Sequence, residues 1–318
     1  MTARVYIDGH VGTTGLRIRQ WLAGREDLEL LTLDEDSRKD PARRRELLEC
    51  ADLAVLCLPD SAAREVVSWL ETSETRVLDA STAHRVAEEW VFGLPELAPE
   101  QRPAIAAARR VSNPGCYSTA VILALRPLLD AGLLAADLPL SIHALSGYSG
   151  GGRNLIEKWE DPAADLLRLV YEVPYALDSL HKHIPEIQRY ALLAHEPQFV
   201  PAVGPFRCGL RVEIPLHGDF LRAGVTGKAI WEALEERYRG EVYVRVIPIA
   251  EPPAAHERSF DPQSCNDSNR LELRVLPHPS GHVLLMAILD NLGKGAAGAA
   301  IQNLNLMLGL GETKGLEA

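Results

Sequence analysis

The sequence predicts an α/β chain in two parts, a parallel sheet wrapped by helices followed by an α+β region whose sheet is mixed and mostly antiparallel. Three observations predict it. Over the first third of the chain, short apolar runs alternate with helix-like stretches, the pattern of repeated βα units. After about residue 139 the runs become strand-like, several with period-2 alternation, and prolines and glycines fall between them. Residues 291–308 return to helical spacing, with Ala297, Ala300, Ile301, Leu304 and Leu308 on one stripe. A length of 318 residues is ample for two domains of ordinary size.

Taken in order, residues 4–8 read as the first strand and 15–22 as the helix after it. Residues 29–33 make a second strand, and 53–58 a third that is apolar throughout, as a strand covered on both faces must be. Residues 62–70 are helical and 76–79 form a fourth strand. In the second region the strand-like stretches are 141–145, 207–216, 241–248, 270–276 and 282–289. There is no internal repeat and no low-complexity segment.

Bulk composition excludes several classes. Hydrophobic residues make up 47% and charged residues 24%, the balance of a globular protein in water. No apolar run nears the roughly 18 residues that span a bilayer, and the N-terminus shows no signal-peptide architecture, so a cytoplasmic protein without membrane contact is expected. A net charge of −11 argues against nucleic-acid binding, which needs basic clusters to displace phosphate counterions. The five cysteines, Cys50, Cys57, Cys116, Cys208 and Cys265, are scattered and odd in number. They fit neither a disulfide framework nor a zinc site, so no bound metal is expected.

Directly after the first strand stands Asp8-Gly9-His10-Val11-Gly12-Thr13-Thr14-Gly15. Glycines at 9, 12 and 15 are a variant of the dinucleotide fingerprint. Gly9 allows a tight turn, Gly12 lets backbone approach a pyrophosphate, and Gly15 lets the next helix pack closely with its N-terminus, from Thr13 and Thr14, toward the anion. The motif opens a βα unit, where it is required to be, and marks the first region as a Rossmann-type domain. After the second strand, Asp34 suits a ribose 2′-hydroxyl, whereas Ser37, Arg38 and Lys39 suit a 2′-phosphate. The basic run favours NADP(H). Pro59, in Leu58-Pro59-Asp60-Ser61, ends the third strand, where open α/β sheets line their ligand crevice.

The stretch Ser112-Asn113-Pro114-Gly115-Cys116-Tyr117-Ser118-Thr119-Ala120 is the most informative. Asn-Pro-Gly is a turn, and a helix follows from Cys116. A cysteine there sits at the positive end of the helix dipole, which favours thiolate, beside unpaired amides suited to an oxyanion. Cys116 is therefore the candidate nucleophile; the other four cysteines read as packing.

These residues resemble the active-site signature of the N-acetyl-γ-glutamyl-phosphate reductases of arginine biosynthesis. Further blocks resemble the same family: Asp79-Ala80-Ser81-Thr82-Ala83-His84-Arg85, Phe92-Gly93-Leu94-Pro95-Glu96-Leu97, and Ser146-Gly147-Tyr148-Ser149-Gly150-Gly151-Gly152-Arg153. So do His181-Lys182-His183-Ile184-Pro185-Glu186-Ile187 and Asp290-Asn291-Leu292-Gly293-Lys294-Gly295-Ala296-Ala297-Gly298. The short length and the wording of the blocks look like the subgroup called type 2. Arg153 stands where lysine is expected in that subgroup, and keeps its positive charge.

The resemblance implies an NADPH-dependent, thioester-forming reductase of N-acetyl-γ-glutamyl phosphate, with His181 or His183 as acid/base beside Cys116. An imidazole suits that task because it titrates near neutral pH. If the 181–183 segment is extended, both rings face one way. The segment 146–153, too rich in glycine to be strand or helix, offers Ser146, Gly147, Tyr148 and Arg153 to the substrate's anionic groups. The resemblance also places Asn291 at the nicotinamide end of the cofactor and implies a homo-oligomer, dimer or tetramer, built on the second domain's sheet. Residues 1–115 with 291–318 are then the NADP-binding domain, made discontinuous by the tail helix, and 116–290 the catalytic and oligomerisation domain. The nicotinamide must lie within a few ångströms of Cys116 for hydride transfer, so the domains are expected to meet at the C-terminal ends of the first sheet's strands. Two alternatives stand beside this reading: an aspartate-semialdehyde dehydrogenase-like reductase of another acyl phosphate, and a non-catalytic NADP-binding redox sensor.

Overall fold

The computed structural model describes residues 2–34, 37–249 and 260–318, without the side chain of Arg38. The backbone divides into two compact units, Met1–Pro114 with Ala296–Leu316, and Gly115–Gly295 with Glu317–Ala318.

The first unit runs β1 (Ala3–Asp8), α1 (Thr13–Leu22), β2 (Leu28–Leu31), α2 (Pro41–Cys50), β3 (Leu53–Leu56), α3 (Asp60–Trp69), β4 (Arg76–Asp79), β5 (Val91–Phe92), α4 (Gln101–Ala107) and β6 (Arg110–Ser112). Its sheet has the order β2-β1-β3-β4-β6-β5, and every pairing is parallel. Alternation sorts the apolar strands onto two cores. Val5, Ile7, Leu53, Val55 and Leu78 face Ile18 and Leu22 of α1 and Ile105 of α4. Ile301 and Leu304 of the C-terminal helix complete that core. Tyr6, Ala54, Leu56 and Val77 face Leu48 of α2 and Val66 and Leu70, in and just after α3. The unbroken apolar run at β3 is thus buried on both sides, as a central parallel strand requires.

The second unit holds α5 (Cys116–Asp130), β7 (Ser141–Gly147), α6 (Gly152–Glu160), α7 (Leu166–Leu169), β8 (Val173–Pro174), α8 (Ile184–Tyr190), β9 (Gln198–Gly204), β10 (Leu210–Leu216), α9 (Gly227–Arg237), β11 (Val244–Val246), β12 (Leu271–Pro277) and β13 (Val283–Leu289). The tail helix is α10 (Gly298–Met307). Among the described residues the second sheet runs β11-β12-β13-β10-β7-β9-β8; β11–β12 and β7–β9 are parallel, the rest antiparallel. It is mixed and mostly antiparallel, as predicted. One face, carrying Leu210, Val212, Ile214, Leu271 and Leu273, is fully buried. On the other face Arg211 pairs with Glu213 and Arg274 with Glu272. Among the described residues no helix is long and apolar enough to cross a membrane.

Two local expectations are corrected. Residues 146–153 are not an irregular loop: Ser146 and Gly147 end β7, Tyr148–Gly151 form a 3-10 turn, and α6 starts at Gly152. Pairing of Ser146 with Leu210 and Val203 holds the glycine-rich stretch in the sheet, overriding its local propensity. Nor is 181–183 extended. It is a turn, and His183, with helical dihedrals, caps α8.

Candidate active site

The glycine turn follows β1 directly. Gly9 has φ +87°, and a Cβ there would collide with the Cys57 carbonyl, so glycine is required twice over. A Cβ on Gly15 would lie 2.5 Å from the Gly9 oxygen. At Gly12 the nearest atom would be 3.4 Å away, an ordinary contact, so the protein's own packing does not demand glycine at that position. Backbone exposed at Gly12 is what close approach of a phosphate needs, and α1 begins at Thr13 with no side-chain cap on its N-terminal amides.

A cleft of about 260 Å³ adjoins this turn, lined by Tyr6, Asp8, Gly9, Lys39, Arg44 and Leu58 among others. Lys39 therefore lines the cleft that adjoins the glycine turn. Ser37 lies in the same short turn, its N–H donating to Asp34 Oδ1 (2.7 Å); Arg38's side chain lies outside the described residues. Arg44 was not singled out, because a charged helix such as α2 reads as a solvated face. It is held by Asp8 (Nη2–Oδ2 2.8 Å, Nε–Oδ1 3.2 Å), and its guanidinium lies over the Trp69 ring. Pro59 caps α3, and Asp60 accepts from the backbone and hydroxyl of Thr82, tying the turns after β3 and β4 together. The dinucleotide cradle thus fits the residues present: bare amides, an open glycine and cations at the cleft.

In the second unit, Cys116 is the first residue of α5 and is partly exposed. The first intrahelical bond runs from Thr119 N–H to Gly115 O (2.9 Å), so the amides of 116–118 precede the ladder. Gly115 N–H donates to the buried Glu186 (3.2 Å), which fixes the turn that presents the cysteine. On the other side, a Cβ at Gly295 would stand 2.6 Å from the Cys116 Cβ. Gly295 belongs to a π-helical turn, Gly293–Ala297, whose fully buried Lys294 lies over the Tyr243 ring (5.6 Å).

Next to Cys116 a chain of polar groups forms. Tyr175 Oη donates to Tyr117 Oη (3.3 Å) and also meets His181 Nε2 (3.3 Å). His181 Nδ1 accepts the His183 N–H (3.2 Å), which leaves the imidazole proton on Nε2 when the ring is neutral. The two histidine rings are 4.8 Å apart, and both contact the Tyr117 ring. The Ser146 hydroxyl also bonds Tyr117. Burial pushes the Tyr175 phenol up to about 12, and negative charge on Cys116 adds to the rise; burial likewise raises Tyr117. A phenol kept neutral is a hydrogen-bond donor at any working pH.

Cys116, Ser146, His181 and His183 lie around Tyr117. Tyr148 turns away, giving its hydroxyl to Glu160 (3.1 Å), and Arg153 pairs with Glu157 (2.8 Å) on the exposed side of α6. Asn291 is buried, accepting from Gly209 N–H (2.8 Å) and donating to Ser149 Oγ (3.0 Å). Tyr117, Tyr175 and Glu186 were missed as working residues. The first and last lay inside quoted motifs, but only the fold turns them toward Cys116. The other cysteines differ. Cys265 is fully buried, and burial with Asp79 and Asp8 nearby pushes Cys57 up to about 12. Among the described residues, no His, Cys, Asp and Glu cluster is placed to hold a metal ion.

Residues 116–291 match the semialdehyde dehydrogenase dimerisation domain, and 34–104 the semialdehyde dehydrogenase NAD binding domain. The chain is 51% identical over 312 residues to N-acetyl-gamma-glutamyl-phosphate reductase 2 of Pseudomonas putida, covering 97% of both chains. It is 50% identical to the Burkholderia ambifaria reductase, covering 96% of each, and 44% identical to reductase 2 of a Nostoc species, covering 98% and 99%. In fold it is similar to aspartate semialdehyde dehydrogenase II of Vibrio cholerae, with a TM-score of 0.73, 17% identity, and 97% and 98% of the chains covered. The chain belongs to the semialdehyde dehydrogenase family and, within it, to the N-acetyl-gamma-glutamyl-phosphate reductases.

Proposed function

We propose that this chain reduces N-acetyl-γ-glutamyl phosphate to N-acetyl-L-glutamate 5-semialdehyde with NADPH, releasing phosphate, as a step of arginine biosynthesis. One observation carries the reading: Cys116 opens α5 beside the Tyr117–Tyr175–His181 chain. The relatives at about half identity bear the reductase name, which supports the substrate. Likeness to aspartate semialdehyde dehydrogenases at 17% identity speaks for the fold only.

Cys116 thiolate attacks the acyl carbon; the C–S bond forms as the C–O bond to phosphate breaks. The 116–118 amides stabilise the oxyanion in that step. His181 Nε2–H hydrogen-bonds the departing phosphate oxygen, which takes up one proton from water, and the tyrosine pair holds the ring in place. NADPH, when bound, supplies the hydride that converts the thioester to a thiohemiacetal. The oxyanion of that species collapses to the aldehyde and returns Cys116 as thiolate. His183 orients His181 through its backbone N–H.

The first unit takes the cofactor and the second unit catalysis and oligomerisation. Gly9, Gly12, Thr13, Thr14 and Gly15 would hold the pyrophosphate, Ser37, Arg38 and Lys39 the 2′-phosphate, and Pro59 and Asn291 the nicotinamide half. Ser146 and Gly147 would border the acyl chain, whereas Tyr148 is turned toward Glu160. Arg153 would trade its Glu157 partner for the substrate carboxylate, since so exposed a pair is worth at most about 1 kcal/mol. The protein works as a homo-oligomer in the cytoplasm, where its cysteines stay reduced.

The test is to mix enzyme and acyl phosphate without NADPH and map the adduct by mass spectrometry. An N-acetylglutamyl adduct on Cys116 is expected, and Cys116→Ser should bind NADPH yet turn over nothing. A Cys116→Ser enzyme that still reduces substrate, or faster turnover of β-aspartyl phosphate, overturns the reading.

A further inference from the structure

We infer that Asn303, a fully buried amide on α10, is a positioning residue for Cys116. Through Asn113 it clamps together the two points at which the chain passes from one unit to the other. The clamp is defined without reference to any substrate; its effect on turnover rests on the reaction proposed above.

The chain leaves the first unit after Pro114 and re-enters it at Ala296. Cys116 is the second residue after the first crossing. Gly295, whose missing side chain makes room for Cys116, is the last residue before the second. One side chain joins the two crossings: Asn113 Nδ2 donates to Ala296 O (3.0 Å). The Asn113 N–H meanwhile donates to Asp79 O (2.7 Å) at the end of β4. Behind it, Asn303 Nδ2 donates to Asn113 Oδ1 (3.0 Å) and to Gly93 O (2.8 Å). The direction of this chain is fixed at both ends, because the carbonyls of Ala296 and Gly93 can only accept. Both amides must therefore present their NH2 groups as they do.

Two observations separate this arrangement from ordinary packing. Asn303 Oδ1 is buried and has no hydrogen-bond partner. An oxygen in that state loses its hydration without replacement, so an asparagine is a poor choice for stability alone. Its neighbours Ile301 and Leu304 show what the core side of α10 otherwise uses. What only the amide supplies is its pair of N–H groups. The second observation lies on the facing chain. A Cβ on Gly93 would stand 2.5 Å from Asn303 Nδ2 and 2.9 Å from its Cγ, so glycine at 93 is what lets the amide in. Gly93 belongs to the block Phe92–Leu97, which has no part in the proposed chemistry.

The consequence for the nucleophile follows from the chain path. With Asn113 bonded to Ala296 O, the Asn-Pro-Gly turn and the Gly293–Ala297 turn start from fixed points and cannot slide past each other at Cys116. Without Asn303 the Asn113 amide loses its backing, and the first amides of α5 lose their aim.

Asn303→Leu keeps the volume and removes both donors; Gly93→Ala keeps the donors and pushes them aside. In each, kcat should fall at least about tenfold, with KM and NADPH affinity nearly constant, because the reacting geometry loosens while the binding surfaces stay. The pH midpoint of Cys116 alkylation by iodoacetamide, read by peptide mass spectrometry without substrate, should move upward as the α5 amides lose their hold on the thiolate. Because both variants act on one contact, combining them should do no more than the stronger alone. Gln302→Met is the control. Gln302 is equally buried on α10 but bonds Glu96 and Glu312, so its loss should lower the melting temperature and leave kcat and the alkylation profile native. Native kcat with an unmoved alkylation profile in Asn303→Leu and Gly93→Ala overturns the proposal. So does a Gln302→Met enzyme slowed as much as Asn303→Leu, since the effect would then be a general loosening of α10. Should one of the two test variants not fold, the other decides. A shifted alkylation profile in an enzyme that prefers another acyl phosphate supports the clamp and overturns only the substrate.

Discussion

Replacing Gly295 by alanine tests the geometry around Cys116 most directly. The added Cβ would lie 2.6 Å from the Cys116 Cβ, 3.1 Å from the Asp290 carbonyl oxygen and 3.1 Å from Leu289 Cδ1. Carbon atoms pack at roughly 3.5–4.0 Å, so about 1 Å must be found. The leucine tip can give way, but the backbone oxygen cannot, and neither can Lys294, which is buried over Tyr243 on the same turn. The start of α5 must therefore move. Overpacking of this kind costs about 1–3 kcal/mol of stability. A displacement near 1 Å at a reacting atom costs roughly 100-fold in rate. The assay is phosphate release in a single turnover without NADPH, which reads the acylation half-reaction alone, together with NADPH binding by fluorescence. Acylation should slow by about two orders of magnitude while the glycine turn at 9–15 keeps its affinity for the cofactor. If Gly295→Ala acylates within threefold of the native rate and melts at the same temperature, the close approach of this turn to Cys116 is refuted.

Two further outcomes follow from the buried polar groups. Glu186→Ala should leave the Gly115 N–H without its carboxylate and cost about 1–3 kcal/mol, whereas Glu186→Gln, which can still accept that bond, should recover most of it; chemical denaturation of both variants decides, and equal losses would refute the positioning role. At high pH, Tyr175 is held at about 12 against an ordinary value of about 10, a preference for the neutral phenol of about 3 kcal/mol. Tyr6 and Tyr117 are raised as well. Because the folded state keeps these protons after the unfolded chain has lost them, the contribution is complete below pH ~10 and disappears as pH rises through about 12. The tyrosinate absorbance of Tyr6, Tyr117 and Tyr175 should therefore appear late and together with unfolding; early, reversible ionisation of these three would contradict the burial described here.

Much of this was legible in one dimension because the signals were local. The turn Gly9–Gly15, the apolar strand at 53–56 and the Asn-Pro-Gly-Cys turn each carry their own steric or electrostatic reason, and each forms where those residues stand. The 146–153 segment was misread because composition reports propensity, while pairing of Ser146 with Val203 and Leu210 is a long-range fact. Strand β9 went unnoticed for a related cause. Its sequence, Gln-Phe-Val-Pro-Ala-Val-Gly, holds a proline, and its full-length pairing with β7 is a long-range fact.

By itself the sequence determined the chemistry available: a thiol at a helix start, imidazoles two residues apart, a phosphate-binding turn and the family to which the blocks belong. Only the tertiary structure decided which groups share one space. Tyr175, Glu186 and Gly295 lie 59, 70 and 179 positions along the chain from Cys116, and no local rule links residues so far apart. Folding brings them together because protein interiors are close-packed, so the start of α5, bonded to Glu186, and the turn at Gly295, which leaves no room for a Cβ beside Cys116, fix each other's place.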